Sequence, residues 1–323
     1  MIKGTSTLMK TLNSSKMPQK KVFLIGFWPD YDVQFLDIGQ LGSIAINVIN
    51  LKESRYHGNI LARWFKRARH YQLKKLILKL IEKNPGSSFF FQGKVNLTRI
   101  LNEIPVDFQA AIICRNIVAR NENLRNSIAG LKEKGIEIWS FDEADCKTYA
   151  LKQYSQFVRK FPLNAIPNPA IDLLFVGRNK GRKAMVDKLG VSLSAAGFRV
   201  YTRITGSDGI KLISYQEYLA LVANSKCLLD VTQDGQNGLS LRPIEAALYG
   251  KKIITTNAAV RKTVLYNANN VLVLTDATTT DEIAKFLKTA PEPIAAETLY
   301  QFSPQHFLTR LLDDVVARGV EEK

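Results

Sequence analysis

Short, unbroken apolar runs alternate with longer helix-like stretches along most of the chain, and this alternation constrains the fold more than any other feature. Val22-Phe-Leu-Ile-Gly-Phe27, Ser88-Phe-Phe-Phe91, Phe108-Gln-Ala-Ala-Ile-Ile-Cys114 and Gly135-Ile-Glu-Ile-Trp-Ser140 read as strands covered on both faces. Between them, residues 59–83, 97–103 and 122–134 have the spacing of helices, and Asn84-Pro-Gly86 stops the first of these. Strands and helices in this order build a mostly parallel sheet clad in helices.

The pattern breaks at Phe161-Pro-Leu-Asn-Ala-Ile-Pro-Asn-Pro169, where three prolines in nine residues interrupt any regular element. It then restarts, with strands expected at 171–176, 198–201, 227–231, 252–255 and 270–274. Helices are expected at 183–196, 215–223, 243–249 and 280–287. A chain of 323 residues is long for one hydrophobic core. The expected organisation is therefore a flexible basic leader over 1–19, one α/β domain over 20–163 and a second over 164–290. After Pro291 and Pro293 comes a crossover to a final helix within 291–323, started by Ser303 at the cap and Pro304 at the first helical position.

Net charge narrows the partners. Forty-five Lys and Arg against 29 Asp and Glu give +16, which points to an anionic partner: a nucleic acid, an acidic membrane surface or a phosphorylated small molecule. No standard nucleic-acid recognition signature accompanies the charge, so no specific nucleic acid is expected, and a nucleic-acid-binding protein with Arg63 to Arg69 on backbone phosphates is the lesser alternative. Three widely spaced cysteines make no metal or redox motif. The N-terminal lysines are not followed by an apolar signal segment, and no run of ~18 apolar residues suggests a membrane span. A cytoplasmic protein is expected, with peripheral attachment to the inner face of a membrane left open.

The stretch 59–83 bears on that attachment. Leu61, Trp64, Phe65, Ala68, Leu73, Leu76, Ile77 and Leu80 read as a stripe packed on the sheet, with a solvated basic side. That side carries Arg63, Lys66, Arg67, Arg69, Lys74, Lys75, Lys79 and Lys83, and with Trp64 and Phe65 it offers a surface for anionic lipid or a lipid-linked acceptor.

Two loops carry the chemistry. Gly177-Arg-Asn-Lys-Gly-Arg-Lys183 follows a strand and precedes a helix, placing backbone N–H groups and cations where a phosphate would sit. It matches neither the dinucleotide-binding nor the P-loop pattern. The alternative reading is a solvated basic loop. The second loop, Asp230-Val-Thr-Gln-Asp-Gly-Gln-Asn-Gly-Leu-Ser-Leu-Arg-Pro-Ile-Glu245, begins at the carboxyl end of a strand, where open parallel sheets bind ligands. Gln236, Asn237, Gly238 and Leu239 are expected to offer amides, with Gly235 and Gly238 admitting close backbone approach. Arg242 and Glu245 lie about one turn apart; the carboxylate suits a ribose diol, or the two residues simply pair with each other.

The segments Asp172–Gly177, Tyr215-Gln-Glu-Tyr-Leu219 and Leu229–Thr255, with Phe141-Asp-Glu-Ala-Asp-Cys-Lys-Thr-Tyr149, resemble a bacterial cell-surface polysaccharide and lipopolysaccharide glycosyltransferase-like group. The resemblance covers roughly residues 135–312. It implies the GT-B architecture: an α/β fold with two Rossmann-like domains facing a central cleft, an acceptor-side domain first and a nucleotide-sugar domain second. The last helix would pack back on the first domain. Glu245 would contact ribose or sugar hydroxyls, and Arg178, Arg242 and the amides of Asn237 to Leu239 would lie near the diphosphate. The full set of expected donor contacts is Gly177, Arg178, Arg182, Lys183, Tyr215, Gln236, Asn237, Gly238, Leu239, Arg242 and Glu245. No cofactor or metal is expected, and a UDP-sugar is the expected donor. The implied reaction moves its sugar to a hydroxyl acceptor of a glycan or lipid-linked glycan, and needs a base from a first-domain loop. Asp32, Asp30 and His57 are the candidates. The same architecture without that base would be a catalytically silent binding or assembly protein.

Overall fold

The computed structural model describes residues 21–27, 36, 38–49, 51, 60–164, 166–206 and 210–321, with the side chains of 60–66 and 315–321 not described. Two sheets account for all the described strands. In the first, β1 (Lys21–Ile25) lies between β3 (Ile44–Ile49) and β4 (Ser88–Gln92), followed outward by β5 (Gln109–Cys114), β6 (Glu137–Ser140) and β7 (Lys152–Gln153). All these pairs are parallel; only the two-residue β2 (Gln40–Leu41) runs antiparallel, on the edge against β3. The helices of this half are α1 (Ile60–Glu82), α2 (Val95–Glu103), α3 (Glu122–Glu133) and α4 (Glu143–Tyr149).

The apolar runs form buried strands because both faces are covered. Phe89, Phe90 and Phe91 are each at most 1% exposed, and Phe89 stacks on Phe23 of the neighbouring strand at 5.1 Å. Burying each such ring is worth about 1.5–3 kcal/mol. Among the described side chains, Leu76 departs from the expected stripe. Leu73, Ile77, Leu80 and Ile81 turn α1 toward the core, whereas Leu76 is 49% exposed. At about 100° per residue, Leu76 falls outside the arc that Ile77 centres.

The second sheet is fully parallel, in the order β12 (Val271–Val273), β11 (Lys252–Thr255), β10 (Ser225–Asp230), β8 (Ile171–Arg178), β9 (Val200–Thr205). Its helices are α5 (Lys183–Ala195), α6 (Tyr215–Ala223), α7 (Leu241–Leu248) and α8 (Thr280–Lys288). Capping boxes start α6 at Ser214 with Glu217 and α8 at Thr279 with Glu282, satisfying orphan N–H groups at both ends of the pair. Counted in chain order, the strands run 2-1-3-4-5 across this sheet, so the connections diverge between β8 and β10. Ligand crevices of open α/β sheets form at such a point.

After α9 (Ala296–Tyr300) the chain returns to the first sheet through α10 (Pro304–Glu321). Phe307 stacks on Phe157 at 4.3 Å, Val158 N–H donates to the Phe302 carbonyl at 2.9 Å, and Lys152 Nζ meets Asp314 at 2.8 Å. One apolar cluster consequently joins Val22, Phe90 and Trp139 of the first sheet to Ile244 and Leu248 of α7 and to Leu308 and Leu311 of α10. Among the described residues no helix is long and apolar enough to cross a membrane.

Candidate functional site

The divergence between β8 and β10 gathers cations. Phe175, buried near the end of β8, carries the Arg182 guanidinium 5.2 Å from its ring centroid and that of Arg242 at 5.0 Å. Arg182 Nη1 donates to the Val231 carbonyl at 2.6 Å and Nε to that of Arg178 at 3.0 Å. Arg242 donates to the Val176 carbonyl and reaches Asp230 Oδ1 at 3.4 Å. Gly177 permits this convergence: a Cβ there would lie 2.5 Å from Arg242 Nη2 and 2.8 Å from Arg182 Nη2.

Asp230 is fully buried and organises the start of α7. Its carboxylate accepts from Ser240 Oγ at 2.8 Å and Thr255 Oγ1 at 3.0 Å, while Ser240 Oγ caps the helix by accepting from Arg242 N–H. A buried ion pair holds only when its remaining hydrogen-bonding capacity is filled, and these hydroxyls fill it.

Positive charge nevertheless exceeds what Asp230 offsets. Burial, followed by the charge of Arg242, lowers Arg182 to about 10. Desolvation and then Arg182, Arg178, Arg242 and Arg120 lower Lys180, which sits in the left-handed region at φ 44°. Crowded, partly desolvated cations make an anion site. Lys183 belongs elsewhere: its Nζ is 2.6 Å from Asp187, one turn along its own helix.

The loop between β10 and α7 is clasped by the first domain. Asp142, the N-cap of α4, accepts at Oδ1 from Ala144 and Asp145 N–H and at Oδ2 from Asn237 N–H at 2.7 Å and Gly238 N–H at 2.8 Å. A Cβ at Gly238 would lie 2.5 Å from the Phe141 carbonyl oxygen. Asp145 accepts from Val118 and Ala119 N–H, fixing a short helical turn from which Arg120 donates to the Asp234 carbonyl and to Gln233 Oε1.

Several sequence expectations change accordingly. The Asn237 and Gly238 amides hold the protein's own Asp142 rather than facing the cations. Gln236 donates its side-chain amide to the Gly238 carbonyl, and Leu239 packs into the apolar clusters. Gly238 admits the first domain's backbone, whereas Gly235, at φ 74° with open space around it, serves the turn.

Glu245 is likewise engaged by protein partners. It is 3% exposed, and its two oxygens accept from Tyr215 Oη at 2.9 Å and Tyr218 Oη at 2.8 Å. Burial raises its pKa against the opposing pull of both hydroxyls. Tyr215 is thereby occupied beneath α7, and its ring meets Phe161 at 5.9 Å beside a groove of about 640 Å³ between α6 and residues 161–164 and 166. Nor does Arg242 pair with Glu245; its carboxylate is Asp230.

Of the expected donor contacts, the structure brings together Gly177, Arg178, Arg182 and Arg242. Sequence reasoning missed Arg120, Asp142 and Phe175, and left Lys180 out of the contact set although it stands among the cations of the 177–183 loop. A signal existed for Asp142, an Asp directly before the acidic first turn of a helix, but it marks a cap and not an interdomain bond. The candidate bases Asp30, Asp32 and His57 lie outside the described residues.

Compared with protein-family profiles and with curated proteins, the sequence matches none. Solved structures to which the chain is similar include the following three. An alpha-glucosyltransferase in complex with UDP and a 13-mer DNA containing a central A:G mismatch has a TM-score of 0.56 at 11% identity, over 92% of this chain and 99% of that one. A glycosyltransferase involved in avilamycin A biosynthesis has a TM-score of 0.49 at 12% identity, covering 92% and 97%. The glycosyltransferase of kitacinnamycin has 0.46 at 9%, covering 92% and 99%. With the two sheets described above, the first similarity establishes the GT-B fold: two Rossmann-like α/β domains.

Proposed function

We propose that this chain is a glycosyltransferase that binds a nucleotide-sugar, a UDP-sugar first among them, and moves the sugar to a hydroxyl of a cell-surface glycan or lipid-linked acceptor. One observation carries the reading: Arg182 and Arg242 converge over Phe175 at the divergence point of the second sheet, beside Gly177, Arg178 and Lys180. The fold likeness to a UDP-bound glucosyltransferase supports the choice of donor.

In this reaction an acceptor oxygen attacks the anomeric carbon as the bond to the diphosphate oxygen breaks. The leaving diphosphate gains one negative charge, which Arg182, Arg242 and Lys180 oppose at fixed positions. Preorganised cations of this kind supply roughly 10²–10³ in rate each. The acceptor proton passes to a first-domain base, for which Asp32, Asp30 and His57 remain the candidates.

The first test is titration with UDP-, GDP-, CMP- and ADP-sugars, read by thermal shift. Saturable stabilisation by one nucleotide, lost in Arg242→Gln, supports the reading; no shift across the panel refutes it. A second reading, a catalytically silent assembly protein of the same fold, is favoured by the commitment of Glu245 and the Asn237–Gly238 amides to protein partners. Donor binding without transfer or hydrolysis distinguishes it.

A further inference from the structure

The outward face of α1 is not used by the cleft. Leu73, Ile77, Leu80 and Ile81 occupy its inner side, and His70 and Lys74 are tied to Glu103 of α2. The remaining described surface places Tyr71, Lys75 and Lys79 at four-residue spacing, so they follow one row along the helix, and Lys83 follows directly on its last residue. Tyr71 is 67% exposed and Leu76, between Lys75 and Lys79, is 49% exposed. Lys21 extends the row past the helix end, its Nζ lying 3.4 Å from Asn84 Oδ1. Glu82 is the one acid on this face among the described residues.

We infer that this face docks on an anionic phospholipid surface. The charges select the partner's sign, and the two exposed apolar side chains select its class. Lysines attract an acidic leaflet, while a leucine and a tyrosine gain by entering the headgroup–acyl boundary. A nucleic-acid backbone would use the lysines and leave Leu76 without a role. Trp64 and Phe65, which the sequence places on the same helix, have side chains outside the described residues. The surface is separate from the donor site, so either can fail alone.

Co-sedimentation with phosphatidylcholine vesicles, with and without phosphatidylglycerol, tests the inference. The protein is expected to pellet with the mixed vesicles and remain in solution with the neutral ones. Lys75→Gln/Lys79→Gln should lower partitioning on the order of tenfold or more. Tyr71→Ser/Leu76→Ser, which leaves the charge unchanged, should lower it several-fold. All four side chains are exposed, so unchanged melting curves and unchanged UDP-sugar titrations verify that the variants are intact. Equal pelleting with both vesicle types overturns the inference. So does parental binding by Tyr71→Ser/Leu76→Ser, or lysine-dependent binding to single-stranded RNA in place of vesicles.

Discussion

The carboxylate of Asp142, in the first domain, accepts a 2.8 Å hydrogen bond from the backbone of Gly238, in the second. The same oxygen accepts from Asn237 N–H at 2.7 Å, and the other oxygen caps α4. A single side chain thus starts a helix and holds the loop that leads to Arg242.

Gly238→Ala should be destabilising, because the added Cβ would lie 2.5 Å from the Phe141 carbonyl and 2.9 Å from the Asp142 Cα, both backbone atoms. Overpacking of this kind costs about 1–3 kcal/mol. Denaturant melts should show that loss. Gly235→Ala meets no atom within 4 Å and is strained only by its φ of 74°, so its cost should stay near 1 kcal/mol.

Asp142→Ala should cost more than loss of a helix cap alone, which is about 1 kcal/mol. It also leaves the Asn237 and Gly238 N–H groups without their carboxylate, at roughly 1–3 kcal/mol for each one left unsatisfied. Urea unfolding of Asp142→Ala beside Asn121→Ala, a cap change confined to the first domain, separates the two contributions.

Glu245→Gln distinguishes a buried anchor from a donor contact. A glutamine keeps one oxygen to accept from one tyrosine but presents an NH2 group to the other, whose hydroxyl must then accept instead of donate. Two charge-assisted hydrogen bonds thus become neutral ones, at a cost of about 1–3 kcal/mol. Stability should fall, while donor affinity measured on the folded protein changes little. Loss of donor binding with unchanged stability would restore Glu245 to the diol role.

Acid should weaken the second domain through Asp172. Its hydrogen bonds to Arg199, opposed by burial and aided by Lys226, hold its pKa well below the carboxylate range. A depressed folded pKa means that the unfolded chain binds the proton first. The pair's contribution is therefore present above the unfolded pKa of about 3.9 and is lost as pH falls below it. The stability gap between the parent and Asp172→Asn should accordingly narrow below that pH, and a gap independent of pH would contradict the assignment.

The fold was legible because each buried strand is a contiguous apolar run, as in Phe89–Phe91 and Leu173–Phe175, and needs no distant partner to be recognised. The β2–β3 hairpin was not recognised: β2 is only Gln40 and Leu41, and the apolar run Ile44-Ala-Ile-Asn-Val-Ile49 of β3, although visible in the sequence, was passed over. Within the site, Arg182 and Arg242 were legible as cations beside strand ends. What the sequence could not convey was depth and distance. A three-residue spacing puts Glu245 on the same side of a helix as Arg242, yet says nothing of the two tyrosines that enclose it. The bond from Asp142 to Gly238 spans 96 residues, and no local pattern encodes such a pairing.

The central claim is that the cations over Phe175 hold the donor's diphosphate, and calorimetric titration of UDP into the parent protein and Arg182→Gln tests it most directly. Arg182 contacts only backbone carbonyls and the Phe175 ring among its described partners, so its removal should leave the fold intact. Saturable binding by the parent is expected, with affinity at least tenfold lower in the variant, as loss of a charge-assisted hydrogen bond worth about 1.5–3 kcal/mol requires. Equal affinity in the two proteins, or no binding by the parent, would contradict it.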